Sequence, residues 1–118
     1  MLLKEYTGFR PEEILPLYHS VGWTNYTENP AMLEQAYRHS LSTIAAWDED
    51  KLVGVIRAVG DGYSVVLVQD LLVHPGWQRN GVGTMLMRAM LNQYPSVYQF
   101  QLVTDATEKM WLFTNPLA

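Results

Sequence analysis

Val65-Val66-Leu67-Val68-Gln69-Asp70-Leu71-Leu72-Val73 and Gln78-Arg79-Asn80-Gly81-Val82-Gly83, joined by His74-Pro75-Gly76-Trp77, decide how this chain is read. The first run is β-branched and aliphatic and has the length of a buried strand. From the second onward, Val82, Met85, Leu86, Ala89 and Met90 recur at i, i+3, i+4, i+7 and i+8, one face of a helix. The chain therefore passes from a strand through a short glycine-bearing loop into a helix. Such a junction points several backbone N–H groups outward at a helix N-terminus, which suits an anion and most naturally a phosphate. Gly81 and Gly83 permit bare backbone to approach a ligand and permit positive φ, and Arg79 adds a fixed charge at the mouth. The same residues also read as an ordinary strand–loop–helix turn whose glycines serve packing. They do not form a Walker A loop, because no Gly-Lys-Ser/Thr follows. Nor do they form a dinucleotide fingerprint, because its three-glycine spacing is absent and the stretch lies late in the chain.

On either side of this stretch the pattern predicts a short first strand over residues 2–6. Pro11-Glu12-Glu13 opens a helix that runs to about Val21 and stops at Gly22, with proline in the first turn and acids at the positive end. Asn29-Pro30 reads as a cap and an N1 proline for a second helix over roughly residues 30–40. Leu41–Trp47 and Lys51–Val59 read as strands joined by the polar turn Asp48-Glu49-Asp50, and Gly60-Asp61-Gly62 turns the chain again. Tyr63–Val73 is the long central strand, the motif helix covers about residues 81–93, and Pro95 ends it. Val97–Thr104 alternates as a further strand. The order β-α-α-β-β-β-α-β describes an α/β protein, a β-meander plus a helical crossover, with a mixed sheet and helices on its faces.

One domain over residues 1–118 is the natural reading of this length, and 48% hydrophobic residues can fill its core. The absence of cysteine excludes disulfides and Cys-ligated metal and fits a reducing, cytoplasmic setting. No stretch approaches the length of a membrane span, and Met1-Leu2-Leu3-Lys4-Glu5-Tyr6 lacks the basic start and long apolar core of a signal peptide. A net charge of −4 argues against nucleic acid as a partner and favours a cationic one such as an amine.

Gln78, Gly81 and Gly83 match the Gln/Arg-x-x-Gly-x-Gly/Ala motif of the GNAT superfamily of N-acetyltransferases, which is entered from a strand and leads into a helix. The flanks Asp70-Leu71-Leu72-Val73-His74-Pro75 and Thr84-Met85-Leu86-Met87 are similar too, and the resemblance is strongest over roughly residues 44–105. It implies an acyl-CoA N-acyltransferase fold in which the strands flanking the motif helix splay apart and admit acetyl-CoA as cosubstrate. It implies that the backbone of Leu71, Leu72 and Val73 pairs with the pantetheine arm. The pyrophosphate would lie on the amides of Arg79, Asn80, Gly81, Val82, Gly83 and Thr84, beside Gln78. A backbone N–H near Leu71–Leu72 would polarise the thioester, and a primary amine, on a small molecule or a peptide, would attack directly in a ternary complex.

Two departures from that pattern stand out. The strand position where many members carry a glutamate base is Gln69, and no tyrosine follows Tyr98 to serve as the acid that many members carry near their C-terminus. The usual final helix and last two strands are expected to be missing or reduced to a stub. That loss would expose a sheet edge, which Trp111 and Phe113 could cover or use to pair with a second copy as a homodimer. These departures motivate an alternative function: a CoA-binding protein of the same fold with little or no catalysis.

His74, at the end of the central strand, reads either as a base near the thioester or as a loop histidine before Pro75. Trp23, Tyr26 and Tyr37 read either as an aromatic wall for the acceptor or as core residues, and Glu28 as an ammonium partner or a solvated acid. Asp70 is expected on the face opposite Gln69. His19 and His39 lack metal-ligand spacing, and no metal is expected.

Overall fold

A computed structural model describes residues 1–103 and 110–114. Its elements run β1 (Leu2–Glu5), α1 (Pro11–Ser20), α2 (Thr24–Thr27), α3 (Pro30–Arg38), β2 (Ser42–Asp48), β3 (Lys51–Val59), β4 (Val65–Val73), a 3₁₀ turn (Pro75–Trp77), α4 (Val82–Gln93), β5 (Gln99–Val103) and β6 (Met110–Thr114). The six strands form one sheet in the order β1-β2-β3-β4-β5-β6. Neighbours are antiparallel except β4 and β5, which are parallel because α4 carries the chain back across the sheet. This is the mixed α/β architecture expected from the sequence.

The apolar spacing of α4 becomes packing: Val82, Leu86 and Met90 are buried against Ile56, Ala58, Val66, Val68 and Phe100 on one face of the sheet. Gly54 of β3 lets the helix sit close, because a Cβ there would meet Leu86 at 3.1 Å and Val82 at 3.2 Å. The opposite face is covered by α1 and α3, whose Ile14, Leu17, Tyr18, Leu33 and Tyr37 pack on Ala45, Val55 and Leu72. Covered on both sides, β3 is buried from Leu52 to Ala58, as its near-continuous apolar run requires.

The β3–β4 register jumps from Arg57↔Asp70 to Ala58↔Val68, so Gln69 is an extra residue on β4, a β-bulge. Because side chains alternate with period two, one inserted residue switches faces for everything after it. Val66 and Val68 pack with α4, whereas Leu72, four residues beyond Val68, packs with α1 and α3. This bulge positions the site.

Three expectations are corrected. The chain adds α2, four residues whose Thr24-Asn25-Tyr26-Thr27 sequence carries no apolar period. Asn29 stands at the N-cap of α3, but its side chain makes no capping hydrogen bond. The edge of β5 is not left open, because β6 pairs along its whole length from Gln99↔Thr114 to Val103↔Met110. The covering expected of Trp111 and Phe113 is thus seen as strand pairing, while their side chains, like Thr104, lie outside the described residues.

Candidate functional site

β4 and β5 pair only from Val65↔Gln99 to Val68↔Leu102. Beyond Val68 the edge of β4 that faced β5 has no ladder partner among the described residues, so the pairing of the two strands stops there. His74 N–H donates to Val53 O at 2.7 Å, toward β3. Backbone direction alternates along a strand, so Leu72 also faces β3, and a Cβ on Gly54 would indeed meet the Leu72 carbonyl at 3.3 Å. The groups turned to the open side are therefore those of Leu71 and Val73. Of the three residues expected to offer backbone there, Leu72 is the one the alternation turns away, and its side chain is buried in the α1–α3 core.

The loop beyond is built to present amides. Gly81 caps α4 with φ 80, and no side chain caps the helix among the described residues. The first N–H groups of α4, on Val82, Gly83 and Thr84, thus lack intrahelical partners. A Cβ on Gly81 would touch nothing within 4 Å, so the space above it is open. Positive φ falls on Gly81 and on Arg79 at 68, not on Gly83, which lies inside the helix; a left-handed non-glycine residue is uncommon. Arg79, Asn80 and Thr84 are exposed, whereas the Val82 side chain is core. Gln78 acts inward: its Nε2 donates to Val73 O at 3.0 Å, tying the loop to the open edge of β4. Trp77 Nε1 donates to Asp48 Oδ2 at 2.8 Å and anchors the approach to the loop on the β2–β3 hairpin.

On the other side of the split, at the bulge, lies a cavity of about 170 Å³ lined by residues that include Trp23, Thr24, Tyr26, Gln69, Asp70 and Val103. Gln69 and Asp70 line the same cavity, so the expectation that Asp70 faces away from Gln69 is corrected; the bulge is the reason. Asp70 is 1% exposed and carries the polar network of the fold. Its Oδ2 accepts from Arg57 Nε at 2.6 Å and from Tyr18 Oη at 2.8 Å, and its Oδ1 accepts from Tyr26 Oη at 3.0 Å. Tyr18 Oη bonds Tyr37 Oη at 2.9 Å, and Arg57 reaches Ser40 Oγ at 3.2 Å. One carboxylate thereby joins β4 to β3, α1 and α2 directly, and to α3 through Tyr18.

Burial works against the Arg57 charge, but Asp70 beside it holds the guanidinium above its ordinary range. Burial first, then the Asp70 charge, pushes the Tyr26 phenol up; burial, then Tyr37 and Asp70, does the same for Tyr18. Both phenols remain donors. Neither Arg57 nor this role of Asp70 was singled out from sequence, although a lone arginine in Leu52–Val59 and a lone aspartate in an apolar strand signal a buried pair.

His74 does not join this group. Its Nδ1 accepts from Gly76 N–H at 3.1 Å, its ring meets Trp77 edge-on at 5.1 Å, and it lines a separate hollow with Glu12, Asp48 and Lys51. Tyr37 is buried and belongs to the core, whereas Trp23 and Tyr26 face the cavity. Glu28 is not among the cavity's lining residues.

The comparisons with known proteins agree with this geometry. The family described as Acetyltransferase (GNAT) family matches residues 7–110. A solved GNAT-family acetyltransferase from Streptococcus pneumoniae superposes with a TM-score of 0.79 at 48% identity, over 91% of this chain and 77% of that one. A GNAT-family acetyltransferase from Brucella melitensis, solved with acetyl-CoA, shares the fold with a TM-score of 0.71 at 16% identity, over 96% of this chain and 86% of that one. A curated relative, an uncharacterised ycf52-like N-acetyltransferase of Prochlorococcus marinus, is 28% identical over 108 residues, 88% of this chain and 54% of the relative. The chain therefore spans about half the length of that curated relative. The family match over residues 7–110, most of the chain, shows that the chain belongs to the acetyltransferase (GNAT) family.

Proposed function

We propose that this chain is an N-acetyltransferase that moves the acetyl group of acetyl-CoA to a primary amine by direct attack in a ternary complex. The observation that carries this reading is the end of β4–β5 pairing at Val68, with open α4 amides on one side of the split and the Gln69 cavity on the other. The pyrophosphate would lie on the N–H groups of Val82, Gly83 and Thr84, where dipole and free donors favour an anion, with Arg79 and Asn80 at the rim. The pantetheine arm would extend the sheet along Leu71 and Val73 as an added strand. It would meet Val73 with that carbonyl already engaged by Gln78, which makes Gln78 a positioning residue for this edge.

The thioester oxygen would then be held by the Leu71 N–H, the gap-facing donor next to the bulge. Such a fixed donor stabilises the oxyanion more than it stabilises the ground state. The neutral amine nitrogen bonds to the acetyl carbon, the C–S bond breaks, and the proton that the nitrogen sheds on becoming an amide ends on the CoA thiolate. Gln69 accepts no proton, and Asp70 is committed to Arg57, Tyr18 and Tyr26. We therefore assign Gln69 to orienting the amine and give His74, which lines another hollow, no part in proton transfer. Positioning supplies much of the rate in this scheme.

Gln69 also favours a second reading, in which the chain binds CoA without turnover. Calorimetric titration with acetyl-CoA of the wild type and of Gly81→Glu, followed by an acetyl-transfer assay, separates the possibilities. Binding abolished by Gly81→Glu, with turnover of an amine, supports the enzyme. Binding without turnover of any amine in a broad panel supports the second reading. No binding by the folded wild type defeats both.

A further inference from the structure

We infer that the acceptor is a monoamine carrying one flat aromatic ring, held by Trp23 and Tyr26, rather than a polycation. This rests on the proposed acetyl transfer and names the substrate class for the cavity at the bulge.

Shape comes first. The two half-buried rings, with centroids 6.2 Å apart and planes at 38°, form a continuous aromatic wall. Tyr18, fully buried behind them, meets Trp23 edge-on at 5.9 Å and Tyr26 edge-on at 5.2 Å, which fixes their tilt. The hydrogen bond from Tyr26 Oη to Asp70 fixes the end of the wall against β4. The helix that carries Tyr26 buries none of its own residues, so these contacts set where the wall stands. A cavity of about 170 Å³ is close to the roughly 150 Å³ of an engineered cavity that takes benzene, so it has room for one six-membered ring.

Charge then separates the classes. Among the described residues, Asp70 is the charged side chain lining the cavity. Its charge is matched by Arg57 at 2.6 Å, and two phenols take one further acceptor site on each of its oxygens. A single amine gives its ammonium proton to solvent before it attacks and then needs only Gln69 beside it. A polyamine or amino sugar would bring further ammonium groups into a cavity whose carboxylate, among the described residues, is already matched by Arg57, and an unpaired desolvated charge is costly. The aromatic faces repay a ring but cannot replace several counter-ions.

The test compares phenethylamine with spermidine as acceptors for the wild type, Trp23→Leu and Tyr26→Phe, with acetyl-CoA affinity measured separately by calorimetry. The wild type is expected to favour phenethylamine by at least about tenfold in kcat/KM, a difference that one well-made ring contact can supply. Trp23→Leu should remove that preference through the KM for phenethylamine while leaving the Kd for acetyl-CoA unchanged. A preference for spermidine overturns the inference, as does a preference that neither variant changes. Direct titration of both amines, followed by NMR through the Trp23 indole N–H, decides the matter without turnover. Saturable shifts with phenethylamine but not spermidine support the inference, and the reverse overturns it. Failure to bind acetyl-CoA would instead strike the proposed function, and the NMR titration of the wild type decides if Trp23→Leu does not fold.

Discussion

The two halves of β4 follow opposite rules. From Val65 to Val68 the strand is paired with β5 on one edge, its Leu67 and Val68 are paired with β3 on the other, and Val66 and Val68 are fully buried. Beyond Val68 it starts with a bulge at Gln69, is paired from Asp70 to Val73 on one edge only among the described residues, and carries a buried aspartate. The first half satisfies its backbone and its side chains with the rest of the sheet. Among the described residues, the second leaves Leu71 and Val73 without a ladder partner on the outer edge, where Gln78 holds the Val73 carbonyl, and it buries a charge whose partners come from three other elements. The difference teaches where this fold makes room for ligands: a ladder must be interrupted before an edge can accept an outside strand, and the interruption needs its own polar support.

The largest effect should come from that support. Asp70→Ala leaves Arg57 buried without its counter-charge and is expected to cost about 3–5 kcal/mol of folding stability. Val66→Ala in the paired half should cost less, about 1–3 kcal/mol, because it removes only apolar contacts. Replacing both charges, as Arg57→Met with Asp70→Leu, should recover most of the loss, since an apolar pair needs no counter-ion. Urea denaturation of the three variants measures this. A cost below about 1 kcal/mol for Asp70→Ala would break the contrast, because it would mean that water or another group already serves Arg57.

Gly81→Glu probes the opening from the other side. A non-glycine residue at φ 80 costs about 1–2 kcal/mol, which leaves the chain folded, but a carboxylate beside the free amides of α4 competes with a pyrophosphate and repels it. A loss of acetyl-CoA affinity of at least about 100-fold, roughly 2.7 kcal/mol, is expected by calorimetry. Unchanged affinity would move the cofactor off this loop. Tyr26→Phe should have a smaller effect, about 1 kcal/mol of stability. Its hydrogen bond goes to a charged group, but water can reach the half-exposed ring and replace part of it. A double-mutant cycle with Asp70→Asn isolates that term, and a coupling near zero would deny Asp70 its hold on α2.

The same division governs what can be read from the residues. Val65–Val68, the apolar spacing of Val82, Leu86 and Met90, and the glycine loop between strand and helix are local patterns, and each is present in the structure as read. The bulge at Gln69 has no residue-type signature: it exists because Arg57 pairs with Asp70 while Ala58 pairs with Val68, a fact about register. A regular strand without the bulge would turn Asp70 away from Gln69, so the lone Arg57 and Asp70 signal a buried pair, but its meeting with Gln69 at one cavity is not legible in the residues alone. His74 draws attention through its chemistry, yet backbone geometry makes it the cap of the 3₁₀ turn. Trp23 and Tyr26 can be placed near the acceptor by resemblance, but separating them from Tyr37 needs the burial of each ring. In each case the missing information is the partner across the sheet or across the helix layer, which no local window contains.

The smallest expected effect lies at the start of the paired half. Asp61 Oδ1 accepts the N–H groups of Tyr63 at 2.8 Å, Ser64 at 2.7 Å and Val65 at 3.2 Å, and its Oδ2 accepts the Ser64 hydroxyl at 2.6 Å. The Ser64 hydroxyl and then these amides hold the carboxyl well below the usual carboxylate range. A folded-state pKa below the unfolded value makes the charged turn stabilising above the unfolded pKa of about 3.9. That contribution fades as pH falls through this value toward the lower folded one. Wild type should therefore exceed Asp61→Asn in melting temperature by a constant margin above about pH 5 and by a shrinking one below it. Because Asp61 is exposed at the far end of β4 from the split, the variant should keep its acetyl-CoA affinity at neutral pH. A margin that is flat from neutral pH to strong acid would show that hydrogen-bond geometry, which asparagine can copy in part, holds this turn rather than charge. A change in cofactor affinity would show that the two halves of β4 are coupled through the bulge instead of separated by it.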